Sequence, residues 1–431
     1  MQRRNLIRTM AAAIAAPMLL ASSLQAFAAD DTIKVGVLHS LSGTMAISET
    51  TLKDTVLMMI DEQNKKGGVL GKKLEPVVVD PASNWPLFAE KATELLEKDK
   101  VAVVFGCWTS VSRKSVLPVF EKDNGLLFYP VQYEGEESSK NVFYTGAAPN
   151  QQAIPAVDYL MKDVGVKRWV LEGTDYVYPR TTNKILEAYL KAKGVAADDI
   201  MINYTPFGFS DWQSEVAKIK TFGSAGKKTA VVSTINGDAN VPFYKELGNQ
   251  KISAEDIPVV AFSVGEEELA GLDTKPLVGH LAAWNYFESV KSPANDAFIK
   301  QWHEFTKNPK RTTNDPMEAT YIGFNLWVKA VEKAGTTDTT KVIATLPGLE
   351  TPNLTGGVAK VLPNHHITKP VYIGEIRDDG QFDVVWQTKK EVPGDAWSDF
   401  LPGSKDLESD WVTLKCGNYN TKTKKCSGQN F

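Results

Sequence analysis

The sequence predicts an α/β protein of two lobes built on parallel sheets, and three observations predict it. Short apolar runs rich in β-branched residues alternate with segments of helical period through the first half of the chain. The run at 101–105 is continuously apolar, as interior parallel strands are, rather than alternating polar and apolar. Later the alternation breaks into two neighbouring helices, near 294–306 and 316–333, and two strand-like runs flanking Asp379-Gly380, a strong hairpin signal. At 43% hydrophobic and 23% charged residues with a net charge of −4, the composition is ordinary for a globular protein. It gives no sign of a nucleic-acid partner.

Taken in order, residues 1–28 are expected to be a cleaved signal peptide. Arg3, Arg4 and Arg8 precede an apolar segment from Met10 to Leu24, and Ala26-Phe27-Ala28 is a small-x-small cleavage site. The apolar segment falls short of a membrane span, so the product is expected to be soluble and periplasmic. The paired arginines resemble a twin-arginine export signal, although an ordinary secretory signal also begins basic. Strands are expected at 33–38, 74–79, 101–105 and 126–129 with helices between them. A second set follows from Gln151, with strands at 169–172, 200–204, 230–234, 258–262 and 280–283. Cys416 and Cys426 sit in a polar tail and are expected to pair in an oxidising compartment, leaving Cys107 as a buried thiol.

The stretch from Val101 to Gly135 draws the site reading. Two consecutive strands there end in loops, one carrying Trp108 and Ser110, the other Tyr129 and Gln132. In open α/β sheets ligands bind at the C-terminal ends of the strands. The first loop opens a helix near Val111 or Ser112, whose free N–H groups and positive dipole end suit an oxygen with partial negative charge. Pro118 should kink or interrupt that helix.

The run GCWTSVSRKSVLPVFEKDNGLLFYPVQYEG at 106–135 also resembles the periplasmic urea-binding proteins of ATP-driven urea importers, and the short-chain amide receptors of the same fold. GVLHSLSGTMAISE at 36–49, GTDYVYPRTTN at 173–183 and NHHITKPVYIGEI at 364–376 extend the resemblance over nearly all of the chain after the leader. It implies a type I periplasmic binding protein fold: two Rossmann-like lobes, a hinge of three crossovers near 146–150, 284–290 and 362–368, and a ligand cleft between. Lobe 1 would take 29–148 plus 287–363, lobe 2 149–286 plus 364–395, and a C-terminal tail 396–431. The implied activity is nitrogen uptake, by capture of urea without a cofactor and delivery to the permease and ATPase subunits of an ABC-type importer. The alternatives are a receptor for formamide or acetamide, in transport or in sensing.

Urea has four heavy atoms, one carbonyl oxygen and four N–H donors. At roughly −1.5 kcal/mol per heavy atom its binding reaches about −6 kcal/mol, a dissociation constant of some tens of micromolar. Such a site must satisfy nearly every hydrogen bond. Ser110 and nearby backbone N–H groups suit the oxygen, and Trp108 and Tyr129 can wall a flat ligand. In the amide-binding relatives the positions matching Trp108, Ser110, Tyr129, Tyr176 and Tyr178 line the pocket, and Val131 stands where the aliphatic amide sensor has threonine. Glu266, after the 258–262 strand, is a candidate acceptor for the second NH2; a solvated acid at a helix start is the plain alternative. Enzyme readings find no GxSxG, HExxH or Walker A spacing. The adjacent His365-His366 pair is expected at the surface rather than on a metal.

Overall fold

The computed structural model describes residues 32–426; the expected signal peptide, with its cleavage site and arginine pair, lies outside the described residues. Lobe 1 opens with β1 (Thr32–Leu38), α1 (Ala46–Lys65) and β2 (Lys73–Val79). It continues through α2 (Trp85–Thr93), β3 (Val103–Gly106), α3 (Ser110–Lys122), β4 (Leu127–Tyr129) and β5 (Val142–Tyr144). The five strands form a parallel sheet in the order β2-β1-β3-β4-β5.

Lobe 2 follows the same logic. Its elements are α4 (Ala153–Tyr159), β6 (Arg168–Thr174), α5 (Val177–Ala192), β7 (Ile200–Thr205), α6 (Gln213–Gly223) and β8 (Thr229–Thr234). Then come α7 (Asn240–Asn249), β9 (Val259–Ala261), the short α8 (Glu266–Leu269) and β10 (Leu281–Trp284). Beyond β10 the sheet gains the hairpin Tyr372–Ile376 and Phe382–Gln387, giving seven strands. Between β10 and that hairpin, α9 (Pro293–Thr306) and α10 (Asp315–Ala334) return to lobe 1. There Phe324 and Trp327 of α10 pack on Phe105 of β3. The chain therefore crosses between lobes three times: after β5, after β10 and before the hairpin.

Central strands form where the apolar runs predict. Residues 103–106 are all buried, and Gly106 is required because a Cβ there would stand 2.5 Å from the Leu38 carbonyl oxygen. α3 starts one residue before the expected Val111, because Thr109 caps it: its Oγ1 accepts the Ser112 N–H at 3.2 Å. Pro118 neither ends nor interrupts α3. Val116, Leu117 and Phe120 around it are buried, and that packing outweighs the lost backbone bond.

The histidine pair is also a correction. His366 is fully buried, stacked on Tyr133 and Tyr144, with Nε2 2.5 Å from the Tyr133 hydroxyl oxygen. Burial outweighs the Asn364 contact and lowers its pKa to about 4. Cys416 and Cys426 form a disulfide with Cα atoms 5.9 Å apart, within a small antiparallel sheet in the tail. Glu121 holds that tail to α3, its Oε2 accepting the Trp411 N–H at 2.7 Å. Cys107 is free and buried. No described helix is long and apolar enough to cross a membrane.

Candidate functional site

The loops after β3 and β4 meet those after β6, β8 and β9 along the line where the two sheets end. The Thr109 cap puts Ser110 at the first position of α3, so its hydroxyl stands at the helix head. Ser110 Oγ donates to Glu134 Oε2 and accepts from Arg113 Nη1 at 3.2 Å. Both Ser110 and Glu134 are 1% exposed. Tyr129, the last residue of β4, donates its hydroxyl to the Trp108 carbonyl oxygen and so ties the two loops together.

Beneath this pair lies a closed ionic network. Arg113 is wholly buried; its Nε meets Glu137 Oε1 at 2.6 Å and its Nη2 meets Glu134 Oε1 at 3.3 Å. Its guanidinium carbon sits 4.6 Å from the ring centroids of both Tyr129 and Tyr133. Lys114 Nζ adds a 2.6 Å contact to Glu137, and Tyr144 donates its hydroxyl to the same carboxylate at 2.8 Å. Burial pushes Glu137 up, but the Arg113 and Lys114 charges outweigh it and hold the carboxyl down to about 2. Two cations face two carboxylates, and none of the four is left over.

Lobe 2 supplies the opposing wall. Trp108 Nε1 donates to Asn236 Oδ1 at 3.3 Å, and Gln132 Nε2 donates to Ser263 Oγ at 2.5 Å. These bonds join the lobes two residues from each member of the Ser110–Glu134 pair. Farther out, the Ser48 hydroxyl donates to Glu268 Oε1 at 2.6 Å and the Asp238 N–H to the Thr44 carbonyl at 3.1 Å. The lobes are thus closed on one another.

Tyr176 precedes α5, and its ring lies 4.7 Å from Phe207 and 6.1 Å from Tyr178, centroid to centroid. Burial raises the pKa of its hydroxyl, and nearby Tyr129, Tyr178 and Glu134 raise it further. Burial also raises Tyr178, against a partial offset from the adjoining Ser263 and Gln132 side chains. The Tyr178 hydroxyl nonetheless forms no hydrogen bond of ordinary geometry, and neither does Gln132 Oε1. Buried polar atoms are nearly always partnered, and these two stand unpaired at the edge of the cluster.

Trp108, Ser110, Tyr129, Tyr176 and Tyr178 therefore come together in one buried cluster. Glu266 does not join it. It is the first residue of α8, and its carboxylate turns to the crossover after β10, where Oε1 accepts the Glu288 N–H at 2.8 Å. Burial raises its pKa well above the usual carboxylate range. The carboxylate that reaches the cluster is Glu134, which sequence reasoning passed over along with Arg113, Asn236 and Ser263. One signal was present: the Arg113-Lys114 pair and the acids at 134, 136 and 137 flank the same strand with opposite charge.

Comparison with known proteins gives the family and the fold. The family model described as periplasmic binding protein domain matches residues 33–403. The Leu/Ile/Val-binding protein BraC3 of Rhizobium johnstonii is 24% identical over 349 residues, covering 79% of this chain and 90% of its own. A stretch of 122 residues is 29% identical to limonene hydroxylase of Geobacillus stearothermophilus, but spans only 28% of this chain and 22% of that protein. Among solved structures, the solute binding protein of an ABC transporter from Rhodopseudomonas palustris HaA2, in complex with p-hydroxybenzoic acid, superposes with a TM-score of 0.73. It is 22% identical and covers 84% of this chain and 98% of its own.

Proposed function

Because this chain belongs to the periplasmic binding protein domain family, we propose that it is a solute receptor that closes on urea and delivers it to an ABC-type importer. The observation that carries the reading is the buried Glu134 carboxylate standing on the Ser110 hydroxyl at the head of α3. A carboxylate only accepts hydrogen bonds, so the ligand's group beside it must donate. An anionic ligand would set like charges together in a dry site, at a cost of several kcal/mol. It would find no relief from Arg113, which Glu134 and Glu137 already occupy.

Urea fits this description. Its oxygen meets the α3 head, where the backbone N–H groups point outward, and one NH2 donates to Glu134. The Trp108–Asn236 and Gln132–Ser263 bonds close the lobes directly beside the pair, which favours a ligand of very few atoms. Trp108, Tyr129, Tyr176 and Tyr178 wall the space. Relatives named for branched-chain amino acids and a solved neighbour holding p-hydroxybenzoic acid define the competing ligands. Titration calorimetry on the chain without its leader tests the assignment with urea, formamide, acetamide, leucine and 4-hydroxybenzoate. Urea is expected to bind with a dissociation constant of some tens of micromolar or tighter, and the two carboxylate ligands not at all. Tighter binding of leucine or 4-hydroxybenzoate would overturn it.

A further inference from the structure

We infer that Gln132 is the residue that separates a diamide from an alkyl amide in this site, with the Tyr178 hydroxyl as its partner. The inference rests on the reading of the cleft as an amide site and goes on to say which end of the ligand is read, and by what. Gln132 stands in the loop after β4, 3% exposed, and spends its NH2 on Ser263 of the other lobe. Its Oε1 is left buried with no hydrogen-bond partner, and the Tyr178 hydroxyl, close to the Gln132 and Ser263 side chains, makes no bond of full geometry with either. An acceptor and a hydroxyl with free lone pairs, set side by side, match the two N–H donors of one further NH2 group.

Urea and acetamide share a carbonyl and one NH2. Those can be met at the α3 head and at Glu134, and the two ligands differ only in what the far end offers. Urea's second NH2 would satisfy Gln132 Oε1 and Tyr178 together. The methyl of acetamide would leave both buried and unsatisfied, and a site built around polar partners rejects most strongly the analogue that fails to fill them. The Gln132–Ser263 bond has a second consequence. It crosses between the lobes, so closing the cleft is what aims Oε1 at the ligand, and selection and closure are one event.

Calorimetry with urea and acetamide on the chain without its leader tests this, using Gln132→Leu, Gln132→Asn and Tyr178→Phe, with melting curves to confirm folding. Gln132→Leu is expected to weaken urea by roughly tenfold or more, the scale of a lost buried hydrogen bond. The substitution also removes the interlobe bond to Ser263, so acetamide is expected to weaken too, but several-fold less than urea. Gln132→Asn keeps an amide of the same chemistry on a shorter stem and is expected to lose less urea affinity than Gln132→Leu does. If Gln132→Leu fails to fold, Tyr178→Phe carries the same test, with urea falling and acetamide holding. Equal weakening of both ligands, or no change in either, overturns the role of Gln132 while leaving the urea reading standing. A parent that binds neither ligand overturns both.

Discussion

The two lobes treat buried charge in opposite ways. Behind the cleft in lobe 1, Arg113 and Lys114 face Glu134 and Glu137, and each charge has an opposite within 3.3 Å. In lobe 2, Glu172 stands near the end of β6, fully buried, and neither carboxylate oxygen has a hydrogen-bond partner. Burial, outweighing the lowering by neighbouring Asn203, pushes its pKa up to about 8, whereas Glu137 is held down to about 2. Glu137, set between two cations, keeps its charge. Glu172, without a cation beside it, is held towards its protonated form by burial.

Removing a charge from the paired cluster should have the largest effect. Arg113→Met leaves Glu134 and Glu137 without their shared partner and is expected to destabilise lobe 1 by about 3–5 kcal/mol. Guanidinium chloride unfolding measures this without adding a ligand, as urea would. A loss of under about 1 kcal/mol would mean that Lys114 alone neutralises the cluster.

The unpaired acid should produce a smaller effect with a distinct pH signature. The folded pKa of Glu172, about 8, lies above its usual 4.5, so the folded state holds the proton more tightly. Its contribution is full below about pH 4.5 and is lost as pH rises towards about 8, by up to a few kcal/mol. Glu137 runs the other way: its contribution is present above 4.5 and lost as pH falls towards about 2. Glu172→Gln is therefore expected to flatten the decline in guanidinium stability between about pH 5 and about pH 8, and to leave the acid side as it was. An unchanged alkaline slope would contradict the account of Glu172.

The same contrast explains what the sequence made legible. Apolar runs at 103–106 and 127–129 announce interior strands, and strand ends announce which loops come together, so the meeting of Trp108, Ser110 and Tyr129 could be expected in advance. Glu134 could not, because an acid in a loop reads as solvated until the fold brings Arg113, twenty-one residues earlier, against it. Glu266 was misjudged for the complementary reason. A run of three acids after a strand looks poised for a ligand, but it opens a short helix, where one carboxylate caps Gly265 and another holds Glu288. Pairing across the fold decides which acid joins the cluster, and it leaves little trace in local pattern.

The central claim, that Glu134 is the acceptor around which a neutral N–H donor is recognised, is tested most directly by one comparison. Urea affinity is measured by calorimetry for the parent and for Glu134→Gln, which keeps shape and leaves Arg113 paired with Glu137. The account predicts urea weakened by about 1–2 kcal/mol, the scale of a charge-assisted hydrogen bond, with folding retained in the melting curve. Urea binding equal to that of the parent in a folded Glu134→Gln variant would contradict it.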